Sequence, residues 1–90
     1  MIKVGKFEYE KSTRKGKKLM VKVGNKTLHF GDSNMEQYKD KTGIWKSKDH
    51  GDSKRRKSYL ARAKGIRDKE GILTWKNSSS PNFHSVHVLW

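Results

Sequence analysis

The alternation of apolar and polar residues predicts β-structure at the start of the chain. Residues 2–9 alternate apolar side chains with lysines and a glutamate, and Gly5 lies where the alternation slips. A half-buried strand turns every second side chain to one face, and a bulge shifts that alternation by one residue. The pattern therefore predicts one strand with a bulge at Gly5.

The clearest β signal comes from two runs, residues 19–23 and 27–30, separated by a Gly-Asn-Lys loop. A short loop of this type between two β-rich runs favours a hairpin. With the first strand, the hairpin predicts a three-stranded antiparallel sheet, about the minimum that is stable without further support. Alternation places Leu19, Val21 and Val23 on the face that we expect to be buried.

A central helix is predicted from a start signal and from apolar residues at helical spacing. Asp52 or Ser53 can cap its start, and Gly65 lies near its end. Spacing of three and four predicts one buried stripe, made of Tyr59, Ala63 and Ile66 with Leu60 beside it.

The turn-forming residues 31–34 and the Ser-Pro pair at residues 80–81 predict two further helices. The first can only be short. The second is a C-terminal helix, since proline suits the first helical position and Ser80 can cap it. Residues 86–88 also fit a strand, which is the alternative for this segment.

Together these elements predict a single α+β domain over residues 1–90. A small three-stranded antiparallel sheet packs against a central basic helix and a short C-terminal helix, and residues 10–18 form a basic loop or mobile arm. Only 31% of the residues are hydrophobic, so the three Trp, three Tyr and three Phe are expected to supply much of the core. The absence of cysteine excludes a disulfide framework and a thiolate zinc site.

The charge of the chain points to an anionic partner. Lysine and arginine number 22 against nine acidic residues, and the net charge of +13 opposes compaction by self-repulsion. Nucleic acid is the first candidate and an acidic protein surface the second. No apolar run approaches a membrane span, and no long amphipathic segment suggests a membrane surface. The first residues lack the apolar block of a signal peptide, so we expect the protein to stay where it is made.

Two clusters of cations are the predicted nucleic-acid contacts. Closely spaced lysines and arginines neutralise successive phosphates, and arginine can grip phosphate oxygens in pairs. The alternative is a solvated basic face with internal partners, in which Asp49 or Asp52 pairs with Arg56. The predicted contacts are Lys54, Arg55, Arg56, Lys57, Arg62 and Lys64 on the helix, with Arg14, Lys15, Lys17 and Lys18 on the arm.

A His/Asp set offers a second kind of chemistry. His29, Asp32, His50 and Asp52, with further histidines near the end, could converge on a divalent metal and make a nuclease. No metal-site spacing supports this, so the four are predicted to form a structural His/Asp network, with no metal, no cofactor and no catalytic residue. No glycine-rich phosphate loop, serine elbow or cysteine nucleophile suggests another enzyme class.

Several segments resemble one family of small basic proteins from tailed phages and large DNA viruses. The resemblance runs from about residue 12 to the end, and Phe83 stands where many relatives have Trp or Tyr. The family is of unknown function, so the resemblance implies a viral source and a shared fold but no activity. The segments that carry it are residues 17–31, Asp49-His50-Gly51-Asp52, Lys54-Arg55-Arg56, residues 59–62, Ser80-Pro81-Asn82-Phe83 and Leu89-Trp90.

Three functions follow as hypotheses. The first is a viral protein that binds nucleic acid without catalysis, located in the host cytoplasm or packaged in the virion. The second is a virion component that decorates or staples the capsid through the same charge. The third is the metal-dependent nuclease.

Overall fold

Four antiparallel strands in the order β1-β2-β3-β4 form the sheet of the computed structural model, which describes residues 2–90. Two helices and two short 3₁₀ turns follow the sheet along the chain. The strands are β1 (Ile2–Val4), β2 (Phe7–Lys11), β3 (Lys17–Val23) and β4 (Lys26–Asp32). The helices are α1 (Ser53–Ala63) and α2 (Pro81–Val88), and the 3₁₀ turns are Lys46–Lys48 and Thr74–Lys76.

The first predicted strand is in fact a hairpin. Val4 pairs with Phe7, so Gly5 and Lys6 form a two-residue turn between β1 and β2. Gly5 has a φ of +63°, which a type II′ hairpin turn requires at its first central position and which glycine adopts without strain. The slip in alternation marks this turn and not a bulge. The α+β class with an antiparallel sheet and two helices is confirmed, whereas the number of three strands was wrong.

The core lies on the sheet face that alternation predicted. Leu19 and Val21 are buried, and the partly buried Val23 packs against the same cluster. Each of these positions repeats at the period of two that a strand imposes. The other buried members are Tyr9, Phe30, Val88 and Leu89.

The predicted starts of the central and C-terminal helices are confirmed. The Asp52 carboxylate accepts hydrogen bonds from the backbone N–H of Lys54 at 2.9 Å and of Arg55 at 3.3 Å. Ser80 caps α2 and Pro81 occupies its first position, so the strand alternative for residues 86–88 was wrong. These caps satisfy N–H groups that have no partner inside the helix.

The helix α1 packs on α2, and α2 packs on the sheet. The Tyr59 and Ser85 hydroxyls lie 2.9 Å apart, and Asn82 Nδ2 donates to the Ala63 carbonyl at 2.9 Å. Ala63 is buried as predicted, but Ile66 is 51% exposed because the helix ends before it. None of the helices within residues 2–90 has the length and apolar character that crossing a membrane requires.

A buried polar network organises the loop between β4 and α1. Lys18 Nζ donates to Gln37 Oε1, and Gln37 Nε2 donates to Asp49 Oδ1 at 2.5 Å. The backbone N–H of Gln37 donates to the Lys48 carbonyl at 3.1 Å, which replaces a helical hydrogen bond. The short helix predicted after residues 31–34 is therefore wrong. Trp45, whose indole N–H donates to the Lys18 carbonyl at 2.7 Å, closes the network against the core.

Candidate functional site

A groove of about 660 Å³ lies between α1 and the segment that begins at the end of β4. One face of α1 supplies one wall, since residues four apart stack along a helix. The opposite wall comes from residues 31–36, and residues of β3, of α2 and of the segment after α2 close the base. The lining residues are Lys54, Arg55, Ser58, Tyr59 and Arg62 from α1, Gly31, Asp32, Met35 and Glu36 opposite, and Lys18, Ser85, Leu89 and Trp90 at the base.

The predicted helix cations divide into two groups. Arg55 pairs with Glu36 at 2.9 Å, Arg56 Nε donates to the Trp90 carbonyl at 2.7 Å, and Lys64 Nζ lies 4.9 Å from the Trp75 ring centre. The side chains of the other three helix cations are exposed, and none of them makes an ion pair, hydrogen bond or cation–π contact within residues 2–90. This second group, Lys54, Lys57 and Arg62, is free to meet an external anion.

The cations at the start of α1 are placed against the helix dipole. The first turn contains no acidic residue, and a run of four basic residues, 54–57, stands at the positive end of the helix. Such an end favours anions and disfavours cations by a few tenths of a kcal/mol to about 1 kcal/mol each. The one carboxylate that offsets this repulsion is that of Asp52, which lies at the cap position before the first turn. An anion bound beside this turn would therefore relieve unfavourable electrostatics.

The aspartate carboxylates accept hydrogen bonds from backbone N–H groups and do not form ion pairs with the cations of residues 2–90. Asp40, for example, accepts from Thr42 N and Trp45 N at 2.8 Å, and Asp68 accepts from Glu70 N at 2.9 Å. Within residues 2–90 the Arg55–Glu36 contact is the one ion pair within 4.0 Å. The alternative in which Arg56 pairs with Asp49 or Asp52 is therefore not observed within residues 2–90. The aspartates that bond to backbone N–H groups in this way are Asp32, Asp40, Asp49, Asp52 and Asp68.

The predicted arm is a short hydrogen-bonded loop. Strands reach Lys11 and resume at Lys17, so only residues 12–16 lie outside them. Within the loop Lys17 N donates to the Arg14 carbonyl at 3.2 Å, and Ser12 N donates to the Lys18 carbonyl at 3.0 Å. The segment 10–18, predicted as a basic loop or mobile arm, is therefore a loop with strand residues at both of its ends. Arg14, Lys15 and Lys17 are exposed.

Lys18 departs from the predicted surface cluster. Its side chain is only 1% exposed and is held by Gln37. Burial lowers the pKa of its ammonium group, because the charged form loses solvation. Lys18 packs closely on Gly31, where an added Cβ would lie 3.1 Å from Lys18 Cβ. It is therefore a structural lysine at the base of the groove and not a surface phosphate contact.

The predicted His/Asp network does not form as a set of side-chain pairs. His29 Nδ1 lies 2.7 Å from the Ser12 hydroxyl, and Asp32 accepts from Asn34 N at 2.9 Å. His50 Nδ1 accepts from the backbone N–H of Asp52 at 2.9 Å, while the Asp52 carboxylate caps α1. In the part of the chain that the structure describes, no three His, Asp or Glu side chains are grouped to hold a metal ion.

An aromatic pair in the groove was missed by the sequence reasoning. Tyr59 stacks on Trp90 with ring centres 4.1 Å apart and an angle of 10°. Trp90 also lies 5.2 Å from the His50 ring. Tyr59 was assigned to a buried stripe from its helical spacing, and no local pattern connects it to a tryptophan so distant in sequence. Both rings are partly exposed and line the groove.

Comparisons with known proteins give no family for this chain. No family model matches its sequence, and no curated protein or solved structure matches it significantly. The charge and geometry of the groove and its surroundings therefore carry the functional assignment.

Proposed function

We propose that this protein binds nucleic acid without catalysis, through α1 and the loop between β2 and β3. The observation that carries the proposal is the absence of internal neutralisation: a net charge of +13 stands against a single ion pair within residues 2–90. A phosphate backbone would supply the missing anions. Lysines and arginines that meet phosphates release condensed counterions, which provides affinity without sequence specificity.

The position of the two cationic segments supports the same proposal. The carbonyl of Gly16, in the loop, accepts a hydrogen bond from Ser33 N at 3.0 Å. The backbone of Lys17 in β3 lies next to the backbone of Asp32 in β4. Asp32 and Lys54 both line the groove. The loop and the start of α1 thus flank one stretch of chain, so one extended polyanion can contact both.

Binding to labelled DNA and RNA, followed by fluorescence anisotropy over a range of salt, tests the proposal. The affinity should fall steeply between about 50 and 200 mM salt. The triple variant Lys54→Gln, Lys57→Gln, Arg62→Gln should bind more weakly. The slope of log K against log salt should shrink by about 0.9 for each phosphate that the variant no longer neutralises.

A charge-matched control separates this surface from the general charge. Lys3, Lys22 and Lys26 are exposed on the sheet and lie outside the groove. Their triple replacement by glutamine removes the same charge, and it should change affinity much less. Undetectable binding at low salt, or equal losses in both triple variants, would contradict the proposal.

We also propose that the protein is viral, because the family that its sequence resembles is viral. The protein would then act in the host cytoplasm, bound to nucleic acid. The same cations would also suit the acidic surface of a capsid, and mass spectrometry of purified particles distinguishes these roles. Many copies on particles emptied of nucleic acid would favour a decorating or stapling role, whereas absence from such particles would favour the nucleic-acid partner.

A further inference from the structure

The groove has a feature that phosphate binding alone does not require. Its rim is cationic, but its interior is largely apolar and includes the stacked rings of Tyr59 and Trp90 and the side chain of Leu89. A volume of about 660 Å³ lies in the range of pockets that hold small organic ligands. Phosphates gain nothing from apolar surface, so the interior fits a flat, apolar-faced group attached to an anion.

The aromatic pair is held in a fixed orientation. The Tyr59 hydroxyl lies 2.9 Å from the Ser85 hydroxyl, which fixes the ring from its far end. The ring of Trp90 lies against it at 4.1 Å, and Arg56 binds the Trp90 carbonyl. Rigid aromatic surfaces of this kind are the platforms on which unpaired bases stack, whatever the base.

Three cations of α1 line the same groove as the aromatic pair. Lys54 and Arg62 are two helical turns apart on α1, with Tyr59 between them. Arg55 reaches across the mouth of the groove to Glu36, in a pair whose side chains are 46% and 53% exposed. Exposed ion pairs contribute little to stability, so a phosphate can displace Glu36 at small cost.

We infer that the groove binds an unpaired nucleotide of a single strand, with the base against the exposed part of the Tyr59–Trp90 stack and the flanking phosphates on Lys54, Arg55 and Arg62. This inference rests on the proposed function and narrows it to single-stranded nucleic acid. A duplex keeps its bases stacked inside and can reach only the rim. The protein should therefore prefer single strands.

Competition between a thymidine homopolymer and a duplex of equal length tests the preference. Single strands should bind more tightly than the duplex. Trp90→Leu should weaken single-strand binding by about tenfold or more, because it removes one stacking contact with the base. Duplex binding should be unchanged. Trp75→Leu is the matched control, since Trp75 is also partly buried but lies outside the groove.

A second pair of variants avoids the risk that Trp90→Leu disturbs the fold. Ser58 and Ala61 are both exposed on α1, and only Ser58 lines the groove. Ser58→Glu should therefore weaken single-strand binding several-fold more than Ala61→Glu, although both change the charge equally.

The outcomes separate this inference from the proposed function. Equal affinity for single strand and duplex overturns the groove as a base site and leaves general phosphate binding intact, whatever the effects of Ser58→Glu and Ala61→Glu. Tighter binding to the duplex also overturns it. No binding to either probe overturns both.

Discussion

The Tyr9 hydroxyl lies 2.7 Å from His84 Nδ1 at the centre of the core, across 75 residues of sequence. The other ring nitrogen of His84 donates to the Ser78 carbonyl at 2.7 Å. Because a carbonyl can only accept, the proton is on Nε2 and Nδ1 accepts from Tyr9. The rings of Phe7, Phe30 and Phe83 surround this pair, so a neutral histidine is built into an aromatic core.

Acid should destabilise the fold through His84. Burial lowers the pKa of its imidazole below the ordinary 6.5, with a smaller contribution from nearby His87, although the Ser78 bond opposes the shift. The unfolded chain then binds the proton more readily, so stability is full above about pH 6.5 and falls as pH drops from there through the folded pKa. Urea midpoints measured from pH 8 downward should show this decline.

Two variants assign that decline to His84. His84→Gln should be less stable at every pH but should lose much of the acid dependence. His87→Gln, on the exposed side of the same helix, should retain it. If His84→Gln kept the acid dependence and His87→Gln lost it, His84 would not be the group whose protonation destabilises the fold.

Removal of the Tyr9 hydroxyl should cost about 1–3 kcal/mol of unfolding free energy, the penalty for leaving a buried acceptor without a donor. Burial raises the pKa of the Tyr9 phenol to about 12, so it is a donor at all ordinary pH values. Tyr9→Phe leaves His84 Nδ1 without this partner. Tyr38→Phe is the control, since no hydrogen bond within residues 2–90 involves that hydroxyl, and it should be nearly neutral. Equal midpoints for the two variants in urea denaturation would contradict this prediction.

Gly31→Ala should be more destabilising than Gly43→Ala. Both glycines have similar positive φ values, +77° and +76°, which cost another residue about 1–2 kcal/mol. A Cβ at Gly31 would also lie 2.9 Å from Leu89 Cδ1 and 3.1 Å from Lys18 Cβ, whereas one at Gly43 meets nothing within 4 Å. The crowding should add about 1–3 kcal/mol. Thermal or urea unfolding of both variants measures the difference, and equal losses would show that the sheet yields at Gly31.

Glu36→Gln should strengthen nucleic-acid binding by a few-fold. The change removes a negative charge from the groove and weakens the contact with Arg55, whose hydrogen bond holds the pKa of Glu36 below its usual value. Electrostatic complementarity to phosphate therefore improves. Glu70→Gln makes the same charge change in an exposed turn outside the groove, so it should have a smaller effect on anisotropy titrations. Weaker binding of Glu36→Gln would mean that Glu36 orients Arg55 productively.

Features that depend on neighbouring residues could be predicted from the sequence. The period of two placed Leu19 and Val21 in the core, and the caps at Asp52 and Ser80 marked both helix starts. The extra strand was missed because a glycine turn and a bulge disturb alternation in the same way. The candidate site could be predicted only as a list of cations, since residue spacing cannot tell a free lysine from an engaged one.

The sequence by itself determined the α+β class, the buried sheet face and the excess of positive charge, because these depend on neighbouring residues and on composition. Only the tertiary structure decided that Lys18 is buried, that the aspartates serve the backbone and that Tyr59 stacks on Trp90. These features depend on contacts between segments far apart in the chain. The groove lies between α1 and the segment that begins at the end of β4, and no local pattern specifies which side chains face it.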